Sequence, residues 1–165
     1  MRRSLTLLTL LSLAVLHVTA FGEDQVITIT AGNAPALKLE IPKDAKATTK
    51  GTKTAFLLTT AWVYVWSVPS AKTIAEAVPQ AATIIKSEFT DFVLTDTKHL
   101  TVAGHDADHL FGKGAEADDG DPGAAEVVIF TVGKHVFAAC VHGEKQEAAA
   151  RSPSMLSLLK TAKAP

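Results

Sequence analysis

The chain has 165 residues, of which 47% are hydrophobic, 20% charged and 6% aromatic, with 10 glycines and 7 prolines; these are the proportions of an ordinary globular domain and exclude collagen-like, coiled-coil and disordered classes. The formal charge is −1, and because Arg2 and Arg3 fall in a leader free of acids, the remainder carries 14 basic against 17 acidic side chains, net −3. A phosphate-binding surface requires a cationic patch, so nucleic acid is excluded as an expected partner.

Arg2 and Arg3 precede an uncharged stretch over residues 4–22 whose apolar heart spans 5–18, and Val18-Thr19-Ala20 places small residues where a signal peptidase reads them. The pattern predicts a secretory signal peptide over residues 1–20 and one domain over residues 21–165, periplasmic or extracellular after cleavage. A domain of about 145 residues is a common size for a single core. Thr6, Thr9, Ser12 and His17 dilute the leader as a membrane anchor, and no later segment is long and apolar enough to span a bilayer, so no stable span is expected after cleavage. Cys140 is the lone cysteine, which leaves the exported domain without an intrachain disulfide and dependent on its core.

Ile27 and Ile29 alternate with Thr28 and Thr30, and Leu37, Leu39 and Ile41 alternate with Lys38 and Glu40, which predicts two strands with one polar face each. Residues 55–67 are apolar on both sides and read as one strand or as two bent at Thr59-Thr60. Trp62, Tyr64 and Trp66 share a face there, either as an aromatic platform for a sugar ring or, more simply, as one layer of the core. Ile74, Ala77, Val78, Ala81, Ile85 and Phe89 recur at helical spacing. Ser70 or a Thr73/Glu76 box can start that helix, and Pro79 should kink or split it.

Phe92 and Leu94, then Leu100 and Val102, predict two short strands, followed by a polar loop over residues 104–123. Gly133-Lys134 joins apolar runs over 126–132 and 135–141 as a hairpin. Residues 144–151 predict one helical piece. Ser152 and Pro153 open another, with Met155, Leu158, Leu159 and Ala162 on its buried stripe. The expected fold is α+β: an α/β/α sandwich with a mostly antiparallel sheet of about six strands and helices on both faces.

The order of elements resembles the PsbP-like fold shared by photosystem II extrinsic proteins, DcrB-like bacterial envelope proteins and a eukaryotic Ran-binding factor. The features that carry the likeness are Leu39-Glu40-Ile41-Pro42 closing a strand, Trp62-Val63-Tyr64-Val65-Trp66, the Ala/Ile helix after it, Val102-Ala103-Gly104 with a polar loop, the Gly133-Lys134 hairpin, and a closing helix with Met155-Leu156. The resemblance covers nearly the whole mature chain. It implies a module that binds proteins or assists assembly, and it brings no catalytic residue with it.

Two clusters carry chemistry. The stretch over residues 104–123 holds five of the ten glycines, and from Asp106 to Glu126 seven acids face one lysine. On a helical turn His105 and His109 would point to one side, as a transition metal requires, with Asp106 and Asp108 as further ligands or as groups orienting the imidazoles. The plainer alternative is a solvated acidic connection whose glycines make turns. Asp118-Asp119-Gly120-Asp121 lacks the alternate spacing of a calcium loop.

Cys140 and His142 point the same way if they lie on a strand, as a soft-metal pair or a nucleophile with its base; the alternative is a cysteine packed as a small hydrophobe. No phosphate loop, dinucleotide fingerprint or Gly-x-Ser-x-Gly is present. These residues lead us to expect a non-enzymatic envelope protein without an organic cofactor, acting on a protein partner through the acidic loop or an exposed sheet edge. The second expectation is a metal-binding protein built on the His105/His109 loop, joined by Cys140 and His142 if the fold brings them close. A hydrolase with Cys140 as nucleophile is the third.

Overall fold

The computed structural model describes residues 24–59 and 61–165, so the expected leader over residues 1–20 lies outside the described residues. The chain runs β1 (Gln25–Ala31), β2 (Ala34–Ile41), β3 (Lys46–Lys50), β4 (Lys53–Leu58), β5 (Ala61–Ser67), α1 (Ile74–Ile85), β6 (Phe89–Val102), β7 (His105–Glu116), β8 (Pro122–Val132), β9 (His135–Glu144) and α2 (Lys145–Leu159). Seven strands form one sheet in the order β3-β4-β5-β9-β8-β7-β6, and β1 with β2 makes a separate two-stranded ribbon. Every strand pairing is antiparallel. The α+β class holds, with seven strands in the main sheet where about six were expected.

Alternation along the central strands sends side chains to two cores. Val128 and Phe130 of β8 join Phe137, Ala139, Leu37, Leu39, Met155 and Leu159 on the face covered by α2 and the ribbon. Val127 and Ile129 join Ala138, Trp66, Ala77, Ala81 and Ile85 on the face covered by α1. Both sides of β8 are apolar because both are covered, and each fully buried large side chain contributes about 1.5–3 kcal/mol.

Residues 55–67 take the bent alternative: β4 and β5 form a hairpin in which Leu58 faces Ala61. Helix α1 starts at the Thr73 cap, whose hydroxyl accepts from Glu76 N at 3.2 Å, while Ser70 turns its hydroxyl to Gln80. It continues through Pro79 without the expected break. The carbonyl deprived of a donor belongs to Ala75 in the exposed first turn, where water can serve it. Helix α2 likewise runs through Pro153 as one element where two pieces were expected; the affected carbonyl, on Ala149, is at an exposed residue.

The largest correction concerns residues 89–123. The two short strands are one 14-residue strand, β6, and the loop expected over residues 104–123 is mostly β7 and the start of β8. Ala103 and Gly104, both at positive φ, make a two-residue turn between Val102 and His105. Gly104 and Gly120 do sit in turns at positive φ, but Gly112, Gly114 and Gly123 are strand glycines required by close packing. A β-carbon at Gly114 would stand 2.8 Å from Thr90 O, and one at Gly123 would stand 2.6 Å from Phe89 Cε1. Small residues here let Phe89 and Phe92 lie flat on the sheet.

Candidate binding groove

On the α2 face the cover is incomplete. Helix α2 lies over β8 and β9, and the ribbon reaches β5 and α2. Beside α2, over the β6–β7 end, a groove of about 640 Å³ stays open. Val93 and Thr95 of β6, Phe111 of β7, Ala124 and Glu126 of β8 and Ala148 of α2 line it. Two irregularities in the β6–β7 register, at 90/93 and 94/96, place Val93 and Thr95 at its rim. Such bulges re-aim side chains and bend an edge strand. Val93 is 57% exposed, the most of any large hydrophobic residue among those described.

A buried polar pair closes the inner end. His109 Nε2 lies 2.8 Å from Glu126 Oε2, and the residues are 6% and 9% exposed. The contact is an ion pair when the ring is protonated. The His109 ring also lies against Phe111, centroids 4.3 Å apart, and Lys98 Nζ sits 4.9 Å from the Phe111 centroid. Burial alone would raise the Glu126 carboxyl, but the side chains of His109 and Ser152, with the charges of His109 and Lys98, hold it below its ordinary value. Ser152 is itself buried, so the carboxylate ties α2 to the sheet.

The proposed metal ligands do not converge. His105 and His109 lie on β7, paired with β6 in continuous register and, from Ala107 onward, with β8 as well, so the helical turn that would have joined them is absent. Four residues along a strand separate them by about 13 Å. Asp106 and Asp108 point to the other face of the sheet, where Asp108 Oδ1 meets His99 Nδ1 at 2.9 Å. Among the described residues, the group of carboxylates or imidazoles whose ligand atoms lie within 4.8 Å of one another is Glu116, Asp118 and Asp119.

Cys140 and His142 do share a face of β9, but their chemistry is separate. Cys140 is 4% exposed, burial pushes its thiol up to about 12, and it contacts Val141 O at 3.5 Å. Burial likewise holds His142 below its ordinary value, with its ring stacked on Tyr64 at 5.4 Å and edge-on to Phe89 at 5.8 Å. A thiolate–imidazolium pair is therefore not populated near neutrality. The aromatic layer is also divided: Trp66 is buried at 2% exposure, whereas Trp62 is 43% exposed.

Sequence reasoning passed over Glu126 and Phe111 and read Ser152 as the start of a helix, whereas it lies inside α2. The signal available for Glu126 was its position at the head of the apolar run Val127-Val128-Ile129-Phe130, where a lone acid must be buried with a partner. That partner, His109, becomes visible only with the β7–β8 register.

No family model matches the chain, and no curated protein matches it in sequence. Solved structures do share its fold. A Bacteroides thetaiotaomicron protein superposes with a TM-score of 0.56 at 12% identity, covering 88% of this chain and 49% of that one, so the chain spans about half its length. LpqN of Mycobacterium tuberculosis, described as involved in cell envelope biogenesis, superposes at 0.51 with 11% identity, covering 86% of this chain and 90% of LpqN. PA94 of Pseudomonas aeruginosa, a protein of unknown function, gives 0.46 at 14% identity over 85% and 96%.

Proposed function

We propose that the chain is an exported, non-enzymatic accessory protein of the cell envelope that binds a protein partner by strand addition at β6. The observation that carries this reading is the open apolar groove beside an edge strand unpaired on its outer side among the described residues. Strand addition draws affinity from main-chain hydrogen bonds and specificity from pockets that take alternate side chains. Residues 96–102 of β6 keep a regular register with β7 and so present a straight edge. Val93 and Thr95 open the groove next to it. The groove needs no cofactor for this role. The ionisable groups also suit binding, since His109 and Glu126 are committed to each other and the Cys140 thiol stays protonated. The envelope role described for LpqN and the PsbP-like order of elements point the same way.

The test is site-specific photocrosslinking in envelope preparations, with the reactive group at Val93, at Thr97, or at Lys50 on the opposite edge. The same discrete protein adduct is expected from Val93 and Thr97 and not from Lys50. Val93→Arg should weaken capture from Thr97 by about tenfold or more, as for a central interface residue. Adducts that form equally from Lys50, or repeated failure to form any, would overturn the reading.

A further inference from the structure

At the end of the molecule where β9 passes into α2, a second cleft of about 270 Å³ shares no lining residue with the groove. Trp62, Tyr64 and His142 form its aromatic wall, and Glu116, Glu147 and Arg151 are among its polar groups. Trp62 stands out because the other tryptophan is buried, while this indole is left nearly half exposed inside a concave surface. Tyr64 next to it already holds a cation, with Lys53 Nζ 4.2 Å from its ring centroid.

The charges of the cleft are unequal. Arg151 is committed, donating to His142 O at 2.6 Å and to Glu147 Oε2 at 2.9 Å, and Lys53 is held by Glu88 at 3.2 Å. His142 stays neutral because burial lowers its pKa. Glu116 is left without a cationic partner among the described side chains, and its Oε1 is shut off from solvent with no hydrogen-bond partner. Burial raises the Glu116 carboxyl, and Asp119, Asp118, Glu144 and Glu147 raise it further. A carboxylate group alone would suit a hydrated metal ion. An exposed indole that lines the same cleft as an unpaired carboxylate suits a cation that sheds water readily and presents alkyl groups to a ring.

We propose that this cleft binds a small organic cation, an alkylammonium group packed on the Trp62 ring with Glu116 as its counter-charge. The reading does not depend on strand addition at β6 and would survive its failure.

The experiment uses the chain recovered from an export host and follows the two indole N–H signals by ¹⁵N NMR. Tetramethylammonium chloride and n-butylammonium chloride are titrated in parallel at constant ionic strength. A saturable shift of the Trp62 signal, with Trp66 unmoved, is expected for at least one salt. The preferred salt distinguishes a quaternary headgroup from a primary amine as the natural source. Glu116→Gln should weaken binding by about tenfold. Trp62→Phe, a smaller and poorer cation–π face, should weaken it several-fold while leaving the fold intact, as circular dichroism checks. A Trp62 signal that never saturates, or an affinity unchanged in both variants, would overturn the proposal. So would displacement of the alkylammonium by calcium chloride through Glu116, Asp118 and Asp119 with no dependence on Trp62.

Discussion

The ring of Phe92 occupies the space that a side chain at Gly112 would need, with Cε1 and Cε2 each 2.8 Å from the point where a β-carbon would stand. Gly112→Ala should push Phe92 off the sheet and lower stability by about 1–3 kcal/mol, the usual weight of overpacking. Urea denaturation should show an earlier midpoint with an unchanged slope. In a Phe92→Leu background the same substitution should cost less, and strict additivity would show that the two residues do not compete for space.

His109→Ala leaves the Glu126 carboxylate buried without its partner and should cost about 3 kcal/mol at neutral pH, read by urea denaturation. Replacing both residues by leucine should recover most of that loss. The pH dependence follows from the depressed carboxyl of Glu126. A folded-state value below the unfolded one contributes stability above the unfolded value, and that contribution fades as pH falls through the folded value. Wild-type protein should therefore lose stability below the ordinary carboxylate range more steeply than Glu126→Gln.

His99 titrates above its ordinary value because its exposed ring is hydrogen-bonded to Asp108, whose charge adds to the effect. A raised folded-state value contributes stability at pH below the unfolded value and loses it as pH rises through the folded one. Asp108→Asn should lower the His99 midpoint followed by NMR. The unfolding midpoint should barely move, because exposed pairs contribute little.

Thiol reagents should fail to label Cys140 in native protein and should label it quantitatively in denaturant. The thiol sits near 12 and is almost fully enclosed, so neither thiolate nor access is present. Rapid native labelling, followed by mass spectrometry, would restore the nucleophile reading.

The hairpin around Gly133-Lys134, the helix through residues 74–85 and the strands ending at Ala31 and Ile41 were legible because local pattern and burial agree there. The β6–β7 hairpin was not, because an edge strand owes little to apolar alternation. Asp96, Thr97, Lys98 and His99 are all exposed, as suits a strand guarded against stray pairing. The strand glycines misled for a related reason: Gly112, Gly114 and Gly123 answer to Phe89 and Phe92, which reach them from across the sheet. Of the candidate site, His109 was legible as a residue of interest and Glu126 was not, since their pairing depends on the strand register. Cys140 and His142 were correctly placed on one face, but burial, which decides their chemistry, is a property of the whole fold.

The strand order also sets a sequence of events for a chain delivered N-terminus first. Strand β5 lies between β4 and β9, and Ser67 pairs with Phe137, which follows it by 70 residues. Until β9 emerges, the Trp62-to-Trp66 segment has one flank open, while β6 to β9 can close on one another as consecutive hairpins. Such long-range closure is slow relative to local pairing. The N-terminal half must therefore wait, exposed, for the C-terminal half to form its template, and the sheet closes only once β9 is available.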